Sequence, residues 1–389
     1  MSLYWNFLEK YYIIKSLVCV ERRCLKMFNK KNFKKNGYML EGRFKKKGYD
    51  WWWHSFTAID ENGNEVPFFI EYFIINPKIS PSKATYGRLK EKPSYVMVKC
   101  GCWGENKVQI NKMYKIDDVK IKKAPYKLEA NDFYASDSLI KGNILQENTN
   151  EHPEYMSEDG HMEWELKIDK KIAFNVGYGT CALLRKIKAF QMYWHAEGMK
   201  SEYEGYIILN GKKYIVSKDK CYGYADKNWG SNFTSPWVWL SSNNIYDNIN
   251  KKQLNNTVFD IGGGRPKVYF IPFNRKLLGA LYLEGKEYEF NFSKFWHPTK
   301  TKFSSTETDD KIIWDVSQKS RGYLMETHIE CYKKDMLFVN YESPDGLKRY
   351  NKLWNGGNGF GSVKLSKKNK LIADLSVKNV GCEYGEYDK

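Results

Sequence analysis

Short apolar–polar alternations separated by turn dipeptides constrain this chain most, because a period of two suits a half-buried strand and not a helix. In residues 163–169, Trp164, Leu166 and Ile168 alternate with Glu163, Glu165, Lys167 and Asp169. Asn210-Gly211 separates apolar runs at 206–209 and 214–217, and Glu284-Gly285 separates runs at 278–283 and 287–292. Asn-Gly fits a two-residue type I′ hairpin, in which both central residues take positive φ. Other strand-like runs lie at 68–75, 95–100, 268–271, 312–316, 323–331, 336–341, 363–365 and 371–377. Strands recurring at roughly 8–12 residues with polar turns predict barrels or sandwiches rather than parallel βαβ units. The aromatic content of 16%, with 13 Trp, suits pleated sheets and apolar cavities better than a helical bundle.

One segment reads as helical. Residues 181–191 carry Leu183, Leu184, Ile187 and Phe190 on one helical face, and the polar stretch 142–162 precedes them. The expected organisation is an N-terminal appendage over 1–36, a first antiparallel barrel over 37–170 and a second over 171–389. A short helix is expected near the junction. In the appendage, Leu3, Phe7, Tyr11, Ile14 and Val18 share helical spacing, which allows an amphipathic surface helix. Lys15 interrupts the apolar run at 11–20 and no small-residue cleavage site follows, so a signal peptide is not expected. The preferred reading is an appendage with Met27 opening the working chain. No apolar stretch reaches the ~18 residues of a membrane-spanning helix.

The net charge of +17 raises the question of a polyanionic partner. Only nine of the 63 basic residues are Arg, the better fork for phosphates and base edges, and the Lys are scattered in short runs. Solvated surface charge is therefore the preferred reading. Peripheral association with an anionic membrane surface comes second, and no nucleic-acid partner is expected. The eight Cys include no paired Cys-x-x-Cys motif, so no metal site is expected, and the thiols read as reduced and buried in a cytosolic protein. The glycine clusters at 262–264 and 356–361 lack the strand–helix context of a phosphate loop and read as turns or bulges.

Two stretches concentrate residues with chemical use. Residues 192–198 read MYWHAEG, and 222–230 read YGYADKNWG, followed by PWVWL at 236–240. Tyr224 and Asp226 share one face of a strand, as do Trp237 and Trp239. If those faces point into a barrel, a carboxyl sits in an aromatic cavity. Burial disfavours its charged form and keeps it protonated near neutral pH, ready to protonate a poor base such as an alkene. Aromatic faces stabilise the cation that results. The competing reading makes Asp226 a turn residue and the Trp core filler.

The segment GYADKNWG, with its sequel PWVWLSSN and the upstream YWHAEG, resembles the signature region of the tocopherol cyclase family and, more distantly, that of the carotenoid 1,2-hydratases. The resemblance extends over most of 37–389, with residues 190–244 carrying its specific part. It implies two lipocalin-like barrels around an apolar ligand site and acid catalysis without a cofactor. It further implies Asp226 as proton donor, Tyr224 as a partner that orients or shares the proton, and His195 and Glu197 as a hydrogen-bonding network with His195 as relay. Trp194, Asn228, Trp229, Trp237 and Trp239 would support or line the substrate site. The expected activity is protonation of a prenyl double bond followed by ring closure or hydration, on an apolar prenyl or lipid-like molecule. The alternatives are a non-catalytic carrier of an apolar ligand and a structural protein built on the same barrels.

Overall fold

A computed structural model describes residues 35–79, 90–174, 186–268, 271–294 and 298–386. Among these residues the long elements are all strands, and helical structure is confined to single turns such as Gly42–Lys45. Both expected hairpins form. Asn210 and Gly211 take φ of 49° and 83°, with Leu209 opposite Lys212; Glu284 and Gly285 take 42° and 93°, with Leu283 opposite Lys286. Glu284 tolerates its unfavourable φ because its Oε1 accepts from Asn256 N and Thr257 Oγ1, at 3.1 and 3.0 Å.

Among the described residues the strands form two antiparallel sheets of twelve strands each and one small two-stranded ladder of Lys267–Val268 with Ile271–Pro272. In the first, Val108–Tyr114, Tyr95–Cys102, Glu65–Ile75 and Tyr49–Ile59 lie side by side. Lys212–Val216 and Gly223–Gly230 then fill successive parts of the gap to Met192–Leu209, which pairs on its other side with Gly160–Phe174. At the Val108–Tyr114 edge, Gln109 N donates to Glu158 Oε2 at 2.8 Å and Asn111 N to Ser157 Oγ at 2.9 Å. Side chains thus satisfy an edge that would otherwise invite pairing with another chain. The second sheet is built on Trp237–Ser242, Thr257–Gly264 and Lys276–Leu283, joined to the long pair Arg349–Lys367 and Lys370–Gly385. Each sheet curls around its own apolar core. The result is the all-β pair of lipocalin-like barrels expected from the sequence.

Three expectations need comment. The sheets change over between Gly230 and Trp237, whereas the boundary expected near 170 falls inside the strand Gly160–Phe174. Strands from 192 to 230 pair with both Tyr49–Ile59 and Gly160–Phe174, so they complete the first sheet rather than begin the second. The expected helix at 181–191 lies partly outside the described residues, as does all of the appendage except 35–36. From Lys186 the chain makes a turn that Lys188, at φ 53°, ends in the left-handed region before the strand Met192–Leu209. The glycines at 356–361 sit at register shifts, as bulges do. Gly262 instead pairs in regular register with Trp239 and Leu278 inside a strand, where a Cβ would lie 2.7 Å from the Trp194 ring. Its role is close approach between sheets, not a turn.

Side chains of opposite parity on the strand Tyr49–Ile59 serve different cores. Trp52 and Phe56 enter the first barrel; Tyr49, Trp51 and Trp53 point outward into a third apolar layer, between the two sheets. That layer positions the candidate site. Among the described residues no helix is long and apolar enough to cross a membrane.

Candidate active site

Strand Gly223–Gly230 is buried along its whole length. Its alternation sends Tyr224, Asp226 and Asn228 toward the layer between the sheets and Ala225, Lys227 and Trp229 into the first barrel. Asp226 Oδ2 accepts from Trp194 Nε1 at 2.7 Å and from Tyr224 Oη at 3.1 Å, while Oδ1 has no hydrogen-bond partner among the described residues. Burial pushes the carboxyl up to about 8, and those two hydrogen bonds offset only part of the rise. Asp226 is thus a neutral acid near pH 7, enclosed by indoles and phenols. Trp239 lies 4.9 Å from the Tyr224 ring, and Trp53 lies 6.4 Å from Trp239 edge-on.

Tyr224 Oη also lies 3.2 Å from Asp260 Oδ2, on the second sheet. Burial and the neighbouring Asp226 hold the Asp260 carboxyl well above the usual carboxylate range. One phenol has one proton to give, so two ionised carboxylates could not both bond to it. At least one of the two aspartic groups must carry a proton.

A third carboxyl, Glu383, stands in the same layer. Glu383 accepts from Trp237 Nε1 at 2.5 Å and from Asn355 Nδ2. Burial pushes it up to about 7, with the charge of Glu71 adding and the bonds to Trp237 and Asn355 and the charge of Lys99 opposing. Lys99 and Glu71 face each other in the strand ladder at 3.6 Å, and Lys99 Nζ sits 3.7 Å above the Tyr341 ring. Glu383 borders a small pocket of about 10 Å³, with Trp51, Met192, Phe233, Trp237 and Tyr341 among its walls. That is room for about one water molecule, so an apolar substrate must move side chains to enter. Phe233 is half-buried: it lies on the Ser231–Pro236 connection between the sheets and is stacked 4.4 Å from Tyr49 and 5.6 Å from Trp51.

The residues expected from the sequence therefore divide between two faces. Asp226, Tyr224, Trp194, Asn228, Trp237 and Trp239 meet between the barrels. His195, Glu197 and Trp229 do not join them, because neighbours in a strand alternate faces. His195 pairs in register with Lys227, and Trp229 stacks on Tyr193 at 5.4 Å in the first barrel's core. Glu197 belongs to a buried ion cluster there, with Lys170 Nζ 2.5 Å from Glu197 Oε1 and 3.0 Å from Asp137 Oδ1. Burial holds the His195 imidazole well below its ordinary range, aided by nearby Lys charges. The aromatic cavity expected inside a barrel is displaced to the space between barrels, since Trp52, Tyr72, Trp164 and Tyr203 fill the first barrel. Asp260, Glu383, Glu71 and Lys99 were not anticipated. Each is a lone charged residue in an otherwise apolar strand run, a signal that marks a buried polar group.

The crystal structure of kievitone hydratase from Nectria haematococca is similar at 12% identity with a TM-score of 0.51, covering 87% of this chain and 90% of that one. That of AttH from Nitrosomonas europaea matches at 10% identity with a TM-score of 0.48, covering 91% and 96%. No curated protein sequence matches the chain. The family model described as tocopherol cyclase-like matches residues 96–386, which include Trp194, Tyr224, Asp226, Asp260 and Glu383. The chain belongs to the tocopherol cyclase-like family.

Proposed function

We propose that this protein is an enzyme that protonates a prenyl double bond of an apolar substrate and lets a hydroxyl capture the cation. Asp226 is the proton donor. The observation that carries the reading is its carboxyl, kept neutral by burial and held by Trp194 and Tyr224 in a layer of aromatic faces. The acid adds its proton to the less substituted alkene carbon, leaving a tertiary cation. Indole and phenol faces stabilise that charge where water would quench it. Tyr224 couples Asp226 to Asp260, so a second carboxyl can hold or resupply the proton. Kievitone hydratase, by its name, adds water to its substrate, and here ring closure and hydration differ only in whose hydroxyl attacks.

A carrier would be expected to keep a standing apolar cavity, whereas the pocket in this layer has a volume of about 10 Å³. The test is incubation of the purified protein with a prenylated hydroquinone, followed by mass spectrometry. Ring closure gives a product of unchanged mass and new retention, and hydration one heavier by a water. Unchanged substrate across prenylated hydroquinones and acyclic polyenes would reject the enzymatic reading.

A further inference from the structure

We propose that Glu383 is a second catalytic carboxyl, the base that takes the proton from the hydroxyl attacking the cation. The inference rests on the acid role of Asp226. Its ground is placement. Of the carboxyls in the layer, Glu383 is the one that borders the pocket, between the Trp51 and Trp237 indoles and the Tyr341 phenol. Asp226 does not border the pocket; it is held by Trp194 and Tyr224 in the same layer, close enough for the charge of Glu383 to act on it. The two carboxyls come from different sheets, Asp226 from the strand Gly223–Gly230 and Glu383 from Lys370–Gly385. An alkene held between them would receive a proton from one side and a nucleophile from the other.

Glu383 is also built to stay in one orientation. Trp237 Nε1 and Asn355 Nδ2 each hold one of its oxygens, and each leaves a lone pair on that oxygen for an incoming O–H. Burial raises both carboxyls toward neutral pH, to about 7 for Glu383 and about 8 for Asp226, so one can be ionised while the other holds its proton. Glu71 and Lys99 act on it from the first sheet with opposite signs, and Lys99 pairs with Glu71 at 3.6 Å rather than with Glu383.

The step balances without any co-reactant. The Asp226 O–H bond breaks and a C–H bond forms at the alkene. The oxygen of a phenolic hydroxyl or of water then forms the C–O bond, and its proton passes to the Glu383 carboxylate. Asp226 is left ionised and Glu383 protonated, and exchange with solvent resets both.

The test is turnover of a prenylated hydroquinone in D₂O by the whole protein and by Glu383→Gln. Wild type should give product carrying one carbon-bound deuterium, of unchanged skeleton for phenol capture or heavier by one water for solvent capture. Glu383→Gln should form product at least ~10²-fold more slowly, as for a lost general base. It should still exchange deuterium into recovered alkene, because Asp226 can add and remove a proton unaided. Glu383→Asp, which keeps a carboxyl, should recover part of the product rate. Product at the wild-type rate in Glu383→Gln would overturn the proposal. So would loss of exchange and product together in a variant whose thermal melt matches wild type. A wild type that neither exchanges deuterium nor forms product would instead reject the acid reading on which this one rests.

Discussion

Asp226 and Asp260 reach the same phenol from opposite sheets, at 3.1 and 3.2 Å from Tyr224 Oη. Two carboxyls sharing one hydroxyl need a proton between them, and burial makes the neutral form the cheaper one. The acid of the site is thus assembled only where the barrels meet. Neither sheet alone would enclose it.

The first prediction is the pH dependence of activity and of stability. Turnover requires Asp226 protonated and Glu383 ionised, so the profile should be narrow, falling below about 7 and above about 8. Stability has its own sign. Asp226 loses its proton near 3.8 when unfolded but keeps it to about 8 when folded. Between those values the unfolded state binds fewer protons, so this group's contribution to stability falls as pH rises. Asp226→Asn should remove that slope. Melting temperatures measured from pH 4 to 9 should converge at low pH and favour the variant at high pH.

Gly262→Ala tests how the sheets position the acid. The added Cβ would stand 2.7 Å from the Trp194 ring, whose N–H holds Asp226. Displacing the indole removes one hydrogen bond to the carboxyl, a loss of about 1 kcal/mol or more for a buried partner. Turnover should drop while circular dichroism stays strand-dominated. An unchanged rate would mean that Trp194 does not position Asp226.

Phe233→Ala should open the pocket. Phe233 is half-buried on Tyr49 and Trp51, so its loss should cost less than the ~3–5 kcal/mol typical of a fully buried aromatic. Binding of an apolar fluorescent probe, read by quenching of Trp51 and Trp237, should become faster. Slower binding would exclude the Ser231–Pro236 connection as the way in.

Lys170→Met addresses the charges inside the first barrel. It leaves Glu197 and Asp137 buried without their cation, at a cost of about 3–5 kcal/mol for a broken buried pair. The loss should grow with pH, since the orphaned carboxyls can escape by binding protons. The limbs of the activity profile should move little, because Glu197 faces the first barrel and reaches Asp226 only through its charge. A shifted limb would restore the His195–Glu197 network to the mechanism.

Much of the fold was legible because its signals are local. The alternation at 163–169 and the Asn210-Gly211 dipeptide specify a strand and a hairpin whatever surrounds them. That Tyr224 and Asp226 share a face was legible through strand parity, and the family resemblance brought Trp194 to the same site, but its bond to Asp226 was not. Parity also contained the division of the site, since residues 195 and 194 cannot face the same way. The resemblance grouped His195 with Asp226 because motifs record neighbours in sequence, not faces. The long-range partners are a different matter. Glu383 and Asp260 come from strands brought to Asp226 only by docking of the second sheet, and no local pattern encodes that contact. The boundary near 170 failed for a similar reason: a polar stretch marks a loop but cannot say which sheet the following strands join.

The most direct measurement is the single-turnover rate of Asp226→Asn on a prenylated hydroquinone, taken beside its affinity for the same molecule. Asn keeps the shape and the Trp194 bond but has no proton to give to an alkene. The account predicts near-normal binding, an intact melt and a rate lower by ~10²–10⁴, the usual range for a lost general acid. An Asp226→Asn protein that turns over at the wild-type rate would contradict it.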